Sequence, residues 1–308
     1  MTVLLMTVLC ALLVFLLILL GVGFYFIRFM TKPVRQTAEH IMQIDGGGGV
    51  WKDLTGIRNE NFEVTTPDDY ILHGSLLYAE GDPDLTKWVI ITHGYTNCRL
   101  GSYKYAHMFL KLGWNCCIWD LRHHGENAEY YCSMGYHEPH DIVTIAGFLR
   151  HRFGSGIRIG LHGESLGSAS SILALGLSDS FAFLISDCGF ASLKGLMCYL
   201  AGARYHLPVV FAWAASTLNA LVHGYTFFSI EPFRALDHTT TPVLFIHGSA
   251  DTFIPPSNAQ KLYNVLQSRP HAPATELYLC PGAEHALSYA TDPAAYERRV
   301  GEFLERIQ

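Results

Sequence analysis

The sequence predicts an α/β protein with a mostly parallel sheet and helices on both of its faces. Three observations carry that prediction. Short apolar runs such as "KWVIITHG", "IRIGLHG" and "PVLFIHGSAD" recur, separated by stretches long enough for a helix. These runs are apolar at nearly every position instead of alternating, the pattern of strands buried on both faces. At 308 residues, half of them hydrophobic, the chain also has the material for one large core.

The first segment stands apart from that pattern. "MTVLLMTVLCALLVFLLILLGVGFYFI", Met1 to Ile27, carries no charged side chain. As a helix it is longer than the roughly 30 Å hydrocarbon core of a bilayer. A cleaved signal peptide is the alternative, but the start has no Lys or Arg, the apolar part is too long, and no A-x-A-like site follows. Residues 1–30 are therefore expected to be a single-pass membrane anchor. Arg28, Lys32 and Arg35 lie just past the apolar run, and the positive-inside tendency places that flank and the globular part in the cytoplasm. The absence of any N-x-S/T sequon agrees. So do the eight cysteines, which form no C-x-x-C pair and read as small buried hydrophobes in a reducing compartment.

Residues 31–50 read as a short amphipathic piece and a linker ending in the tract Gly46–Gly49. From residue 51 onward the elements alternate. "FEVTTPDDYILHGSLLYAE" predicts a hairpin turning at Pro67-Asp68-Asp69. "KWVIITHG" is a strand, 101–112 a helix, "NCCIWD" a strand, and "DIVTIAGFLRHRF" a helix with Asp141 as its cap. "IRIGLHG", "FAFLISDCG", "PVLFIHGSAD" and "ELYLCPGAEH" are four more strands, with helices after the first and third of them and over 293–307. Residues 191–236 carry almost no charge and are too long for a simple connection, so they predict an inserted helical cap. The formal charge of −6 shows no basic cluster, which argues against a nucleic-acid partner.

The chemistry gathers at "GLHGESLGSAS", where Ser165 sits between Gly163 and Gly167 after a strand and before a helix. A sharp strand-to-helix turn forces its central residue into a strained conformation, and side chains two positions away would collide. Glycine at 163 and 167 removes the collision and lifts the hydroxyl above the sheet. A serine needs a base and an orienting acid. "HGSADTFIP" leaves Asp251 just beyond one strand, and "PGAEHA" leaves His285 just beyond the last.

These pieces, with "HGYT" and "DLRHHGEN" after the two early strands, resemble the α/β-hydrolase superfamily, in its serine-aminopeptidase-like and esterase branch, over roughly residues 60–308. The resemblance implies an α/β-hydrolase domain over 51–308 in which Ser165 attacks an acyl carbonyl, His285 relays the proton and Asp251 holds the imidazole. It implies an oxyanion hole from the N–H groups of Leu166 and Tyr95, with Thr96 as the fallback, and no cofactor and no metal. The family's Asp-x-Arg-Gly-His-Gly segment reads "DLRHHG" here, with His123 in the glycine position, which puts the loop's geometry in question.

Other polar residues have plainer readings. Asp187, ending "FLISD", is the rival acid. His93 is expected to support the oxyanion loop, Asp120 and Arg122 to form an ion pair, Glu164 to make hydrogen bonds, and Cys188 to be buried. "HH" at 123–124 and "HEPH" at 137–140 lack the helical H-e-x-x-H spacing of a metal site. The expected substrate is a small molecule with a hydrophobic acyl group, split as a carboxylic ester. Aminopeptidase or amidase activity is the alternative and would need Glu129, Glu138 or Glu231 near the pocket. A non-catalytic binding protein on the same fold is the second alternative. Oligomeric state is not readable.

Overall fold

A computed structural model describes residues 2–45 and 56–307 of the chain. The tract Gly46–Gly49 and the boundary expected near residue 50 lie outside the described residues.

Among the described residues eight strands form one sheet: β1 (Asn59–Thr65), β2 (Ile71–Leu77), β3 (Lys87–Thr92), β4 (Asn115–Trp119), β5 (Arg158–Glu164), β6 (Phe183–Asp187), β7 (Val243–Gly248) and β8 (Thr275–Cys280). Their order is β1-β2-β4-β3-β5-β6-β7-β8. The predicted hairpin is β1–β2, antiparallel, with Thr65 opposite Ile71. β2 is antiparallel to β4, and all other neighbours are parallel. The central strands are buried throughout, whereas β1 at one edge alternates and β8 at the other is only half covered. That distribution is why the central runs read as uninterrupted apolar sequence.

The helices are α1 (Thr2–Thr31), α2 (Ala38–Asp45), α3 (Tyr103–Lys111), α4 (Glu138–Phe153), α5 (Leu166–Leu175), α6 (Leu193–Tyr199), α7 (Val210–His223), α8 (Pro232–Ala235), α9 (Ser257–Gln267), α10 (Ser288–Thr291) and α11 (Pro293–Arg306). Residues of α4, α5, α9 and the 191–236 segment share one core cluster; those of α3 and α11 form the other, on the opposite face. The 191–236 segment is helical as expected: α6, a π turn over Leu200–Arg204, α7 and the single turn α8.

Two local expectations change. Helix α4 begins at Glu138, one turn before Asp141, with Pro139 in its first turn. Asp141 is buried inside the helix and does not cap it, because it accepts from the Arg122 guanidinium at 2.7 and 2.8 Å. Arg122 in turn pairs with Asp68 and Asp141 and not with Asp120, which is taken by Arg99 and by the Arg99 and Glu126 N–H groups.

The topology places the site. From β3 the chain steps to β4 on one side, then returns to lay β5 through β8 on the other. Loops leaving the carboxyl ends of β3 and β5 therefore diverge and leave a crevice between them, as at other reversals of strand order.

Candidate active site

Ser165 follows β5 directly, with φ 55° and ψ −112°. A non-glycine residue holds such angles only when its surroundings over-determine them. Here they do. A Cβ at Gly163 would lie 2.4 Å from the carbonyl oxygen of Gly167, and one at Gly167 would lie 2.1 Å from that of Thr92. The backbone passes too close for any side chain at either position. The Ser165 N–H is held by the Asp187 carbonyl at 2.8 Å, and the Ser165 carbonyl opens helix α5 by accepting from Ala169.

His285 and Asp251 arrive from the loops after β8 and β7. The Ser165 hydroxyl lies 3.0 Å from His285 Nε2, and His285 Nδ1 lies 2.7 Å from Asp251 Oδ2. An ionised carboxylate only accepts, so Nδ1 carries the proton and Nε2 keeps a lone pair facing the serine. The hydroxyl proton thus has an acceptor in place. Asp251 is itself fully engaged: Oδ1 accepts from the N–H groups of Phe253 and Ile254 at 2.8 and 2.9 Å, and Oδ2 also faces His247 Nε2 at 3.2 Å. Burial opposes its charge, but the hydrogen bonds from His247 and His285 hold its carboxyl well below the usual carboxylate range.

The β3 loop supplies the other side. The N–H groups of Tyr95 and Leu166 make no hydrogen bond within the described residues, and both residues border the same cavity as Ser165. Thr96 does not fit the fallback role, since its N–H donates to His124 Nε2 at 3.2 Å. Accepting there fixes the proton of His124 on Nδ1, which donates to the Arg122 carbonyl at 2.8 Å. His93 works alike: Nε2 accepts from the Leu121 N–H at 3.0 Å and Nδ1 donates to the Gly94 carbonyl at 2.7 Å. Burial depresses both imidazoles, His93 to about 4 and His124 to about 3, so neither bond is lost to protonation near neutral pH. His123, in the position of the family's glycine, has φ 64°. The loop keeps a left-handed turn that glycine would adopt without strain.

Beneath the serine lies a second polar layer. Glu164 Oε2 pairs with Lys104 Nζ at 2.6 Å and accepts from the Tyr105 hydroxyl at 2.5 Å. Burial would raise its carboxyl, yet the Lys104 charge and these hydrogen bonds leave it below the ordinary value. Asp187, the rival acid, accepts from the Tyr296 hydroxyl at 3.1 Å, has the Tyr105 oxygen at 3.3 Å, and does not reach His285. Cys188 is fully buried, as expected, and burial pushes its thiol up.

Above the serine opens an apolar cavity. Leu193, Leu196, Met197 and Leu200 of the cap line it, with Phe190 and Phe253 from strand-end loops. Phe26, Phe29 and Met30 of α1 form another part of the wall. The end of the N-terminal helix is thus built into the site: the Thr31 carbonyl accepts from the Cys132 N–H at 2.8 Å, and the Phe29 carbonyl accepts from the Tyr95 hydroxyl.

The structure brings Ser165, His285 and Asp251 within hydrogen-bond distance of one another, and Tyr95 and Leu166 border the cavity. Sequence reasoning missed His247, His124 and the α1 wall. His247 was legible as a polar residue ending the apolar run "VLFIH", and His124 as the second histidine of "DLRHHG". Nothing in α1 distinguishes a pocket-facing Phe from a lipid-facing one.

Known proteins fit this geometry. Residues 107–307 match the prolyl oligopeptidase family. The chain is 32% identical to the uncharacterized protein YqkD of Bacillus subtilis (strain 168) over 296 residues, 94% of this chain and 93% of that one. Its fold is similar to that of the Pyrococcus furiosus esterase Pf2001, with a TM-score of 0.69 at 25% identity over 90% of this chain and 98% of that one. It also resembles in fold the acylaminoacyl peptidase of Pyrococcus horikoshii, with a TM-score of 0.62 at 20% identity over 84% of this chain and 43% of that one. The chain belongs to the prolyl oligopeptidase family, and with it to the serine hydrolases built on the α/β-hydrolase fold.

Proposed function

We propose that the protein hydrolyses a carboxylic ester with a hydrophobic acyl group through an acyl-enzyme on Ser165. The observation that carries this reading is the hydrogen-bonded run Ser165–His285–Asp251 opening directly onto an apolar cavity. His285 Nε2 takes the hydroxyl proton as Oγ attacks the carbonyl. The oxyanion forms toward the N–H groups of Tyr95 and Leu166. As the intermediate collapses, His285 returns the proton to the leaving alcohol, and water, deprotonated by the same imidazole, releases the acid. Asp251, with His247 behind it, keeps the imidazole in the tautomer this requires.

Amide or aminoacyl cleavage is the second reading, favoured by the family's peptidases. A substrate ammonium would want a carboxylate at the cavity, and among the described residues no acidic side chain lines it. Glu138 is buried and spent on the Ser133 and Gly135 N–H groups, Glu231 pairs with Arg234, and Glu129 is exposed. That placement supports the ester.

The N-terminal helix is 30 residues long and apolar enough to cross a membrane. Because its last turns wall the cavity and hold Tyr95, we read it as a retained anchor and not a cleaved signal, with the domain on the cytoplasmic side as Arg28, Lys32 and Arg35 suggest.

The test compares a nitrophenyl butyrate with an aminoacyl nitroanilide on the full chain and on Ser165→Ala. Ester turnover is expected to fall by about 10⁴-fold or more in the variant, with fluorophosphonate labelling lost and the melting curve retained. Faster amide than ester cleavage would transfer the assignment to the peptidase reading. An unlabelled Ser165 in folded protein would leave a binding protein.

A further inference from the structure

The anchor and the cavity share one helix, and that bears on how substrate arrives. Residues 2–18 of α1 are exposed on every side, and from Leu19 the helix enters the fold. Globular structure begins where the helix stops being bare, and a bare, charge-free helical face is what a bilayer covers, so the bilayer surface lies at about Leu19–Val22. Above that level α1 has two working faces. Gly23, Ile27 and Thr31 are buried, with Gly23 so close to α7 that a Cβ there would lie 2.7 Å from Leu218. Leu19, Val22, Phe26 and Met30, spaced three, four and four apart, form a half-buried apolar stripe. The upper two line the cavity over Ser165, and the lower two lie where the helix becomes bare.

The cap offers a matching edge. Helix α7 runs beside α1 in the same sense: Gly23 faces Ala214 and Leu218, while His223 at its far end is depressed first by burial and then by the Lys32 charge. The start of α7 is therefore on the membrane side. There Tyr205, Leu207, Val209, Val210 and Trp213 are between 36% and 52% exposed, and Tyr205 also lines the cavity. The Lys194 ammonium sits 4.8 Å over the Trp213 ring, as a basic side chain does at a boundary between apolar and wet surroundings. An apolar edge continuous with a membrane-length bare helix has the bilayer as its natural cover.

We propose that the cap edge dips into the bilayer surface and that the seam between α1 and the cap is a track by which the acyl chain of a membrane-resident ester reaches Ser165. The substrate class is a long-chain acyl ester presented by the membrane. Passing along the stripe keeps the chain in apolar surroundings throughout, whereas a route through water would expose every methylene. This rests on the ester-hydrolase reading above, and the test separates the two.

Full-length protein is reconstituted in phosphatidylcholine–phosphatidylglycerol vesicles and given methylumbelliferyl palmitate within the bilayer or methylumbelliferyl butyrate from solution. At fixed bulk concentration, palmitate turnover is expected to follow its mole fraction in the bilayer. Val209→Glu with Val210→Glu, on the exposed edge, is expected to lower it about tenfold while butyrate turnover stays within about twofold. Palmitate turnover that follows bulk concentration overturns the proposal, as does its survival in the double variant alongside intact butyrate turnover. The mole-fraction measurement needs no substitution and decides the matter even where the double variant fails to fold. Loss of both esters in the wild-type protein would instead sink the ester-hydrolase reading itself.

Discussion

At the rim of the sheet, each polar side chain lies within a few residues of a strand end and is fixed by named hydrogen bonds. Asp251 accepts from two N–H groups and the His285 imidazole, with His247 Nε2, bonded to the Ile254 carbonyl at 2.7 Å, close beside it. In the chamber above it, walls come from α1, the cap and several loops, segments up to about 230 residues apart, mostly apolar side chains joined by a few hydrogen bonds from α1. The rim is thus specified locally and the chamber only by the finished fold. Chemistry that depends on tenths of an ångström is put where backbone geometry is stiffest. The surface that selects a substrate is put where side chains exchange at modest cost.

The largest expected effect breaks the rim alone. Asp251→Asn keeps the shape but replaces an acceptor with a group that can donate to His285 Nδ1. The imidazole then carries its proton on Nε2 and cannot accept from Ser165. Turnover is expected to fall about 10⁴-fold, while chamber affinity for an uncleavable apolar ligand stays within about threefold. Single-turnover kinetics and a binding titration read the two separately. A loss shared by both would show that rim and chamber are not independent.

A smaller effect breaks the chamber alone. Deleting residues 2–18 removes only exposed side chains, so butyrate turnover and melting temperature are expected to hold in detergent. Extending the deletion through Thr31 removes the buried Ile27, the wall formed by Phe26 and Met30, and the carbonyl that holds Tyr95. That loss should destabilise the protein by about 3 kcal/mol or more, on the scale of losing one large buried side chain. It should also lower kcat/KM about 10- to 100-fold. Equal behaviour of the two truncations would make α1 a tether and nothing else.

The contrast also explains what was legible. Gly163 and Gly167 announced the elbow because the backbone there tolerates no Cβ, a constraint that leaves a mark at fixed spacing. Asp251 and His285 are legible as strand-end residues because the strands before them are apolar runs that fix where the loops begin. The sheet was readable for the same reason. The N-terminal segment was read correctly as apolar and long, but its inner stripe was invisible: Phe26 and Phe29 look the same facing lipid, solvent or substrate. Asp141 was misread as a cap because the Arg122 that buries it lies 19 residues away in sequence. Pairings of that kind are fixed by tertiary structure and have no local signature.

The smallest effect sharpens the rim by comparing its two buried acids. Asp251 has donors on both oxygens. Asp187 has the Tyr296 hydroxyl on Oδ2, the Tyr105 oxygen near it, and no partner for Oδ1 among the described residues. Burial, and after it the Glu164 charge, raises Asp187 to about 6. Between the unfolded value near 3.9 and about 6, the folded protein then binds more protons than the unfolded chain, so this residue's contribution to stability falls as pH rises through that window. Asp251 behaves oppositely: its depressed carboxyl stabilises above the unfolded value and gives way only in stronger acid. Asp187→Asn keeps an acceptor for the Tyr296 hydroxyl and removes the charge. Denaturant midpoints are expected to show a gain on the order of 3 kcal/mol at pH 8, shrinking toward zero by about pH 4, with turnover within a few-fold of wild type. A collapse of turnover comparable to that of Asp251→Asn would move the acid's role to Asp187, and a pH-independent gain would mean that its proton is never exchanged in the window.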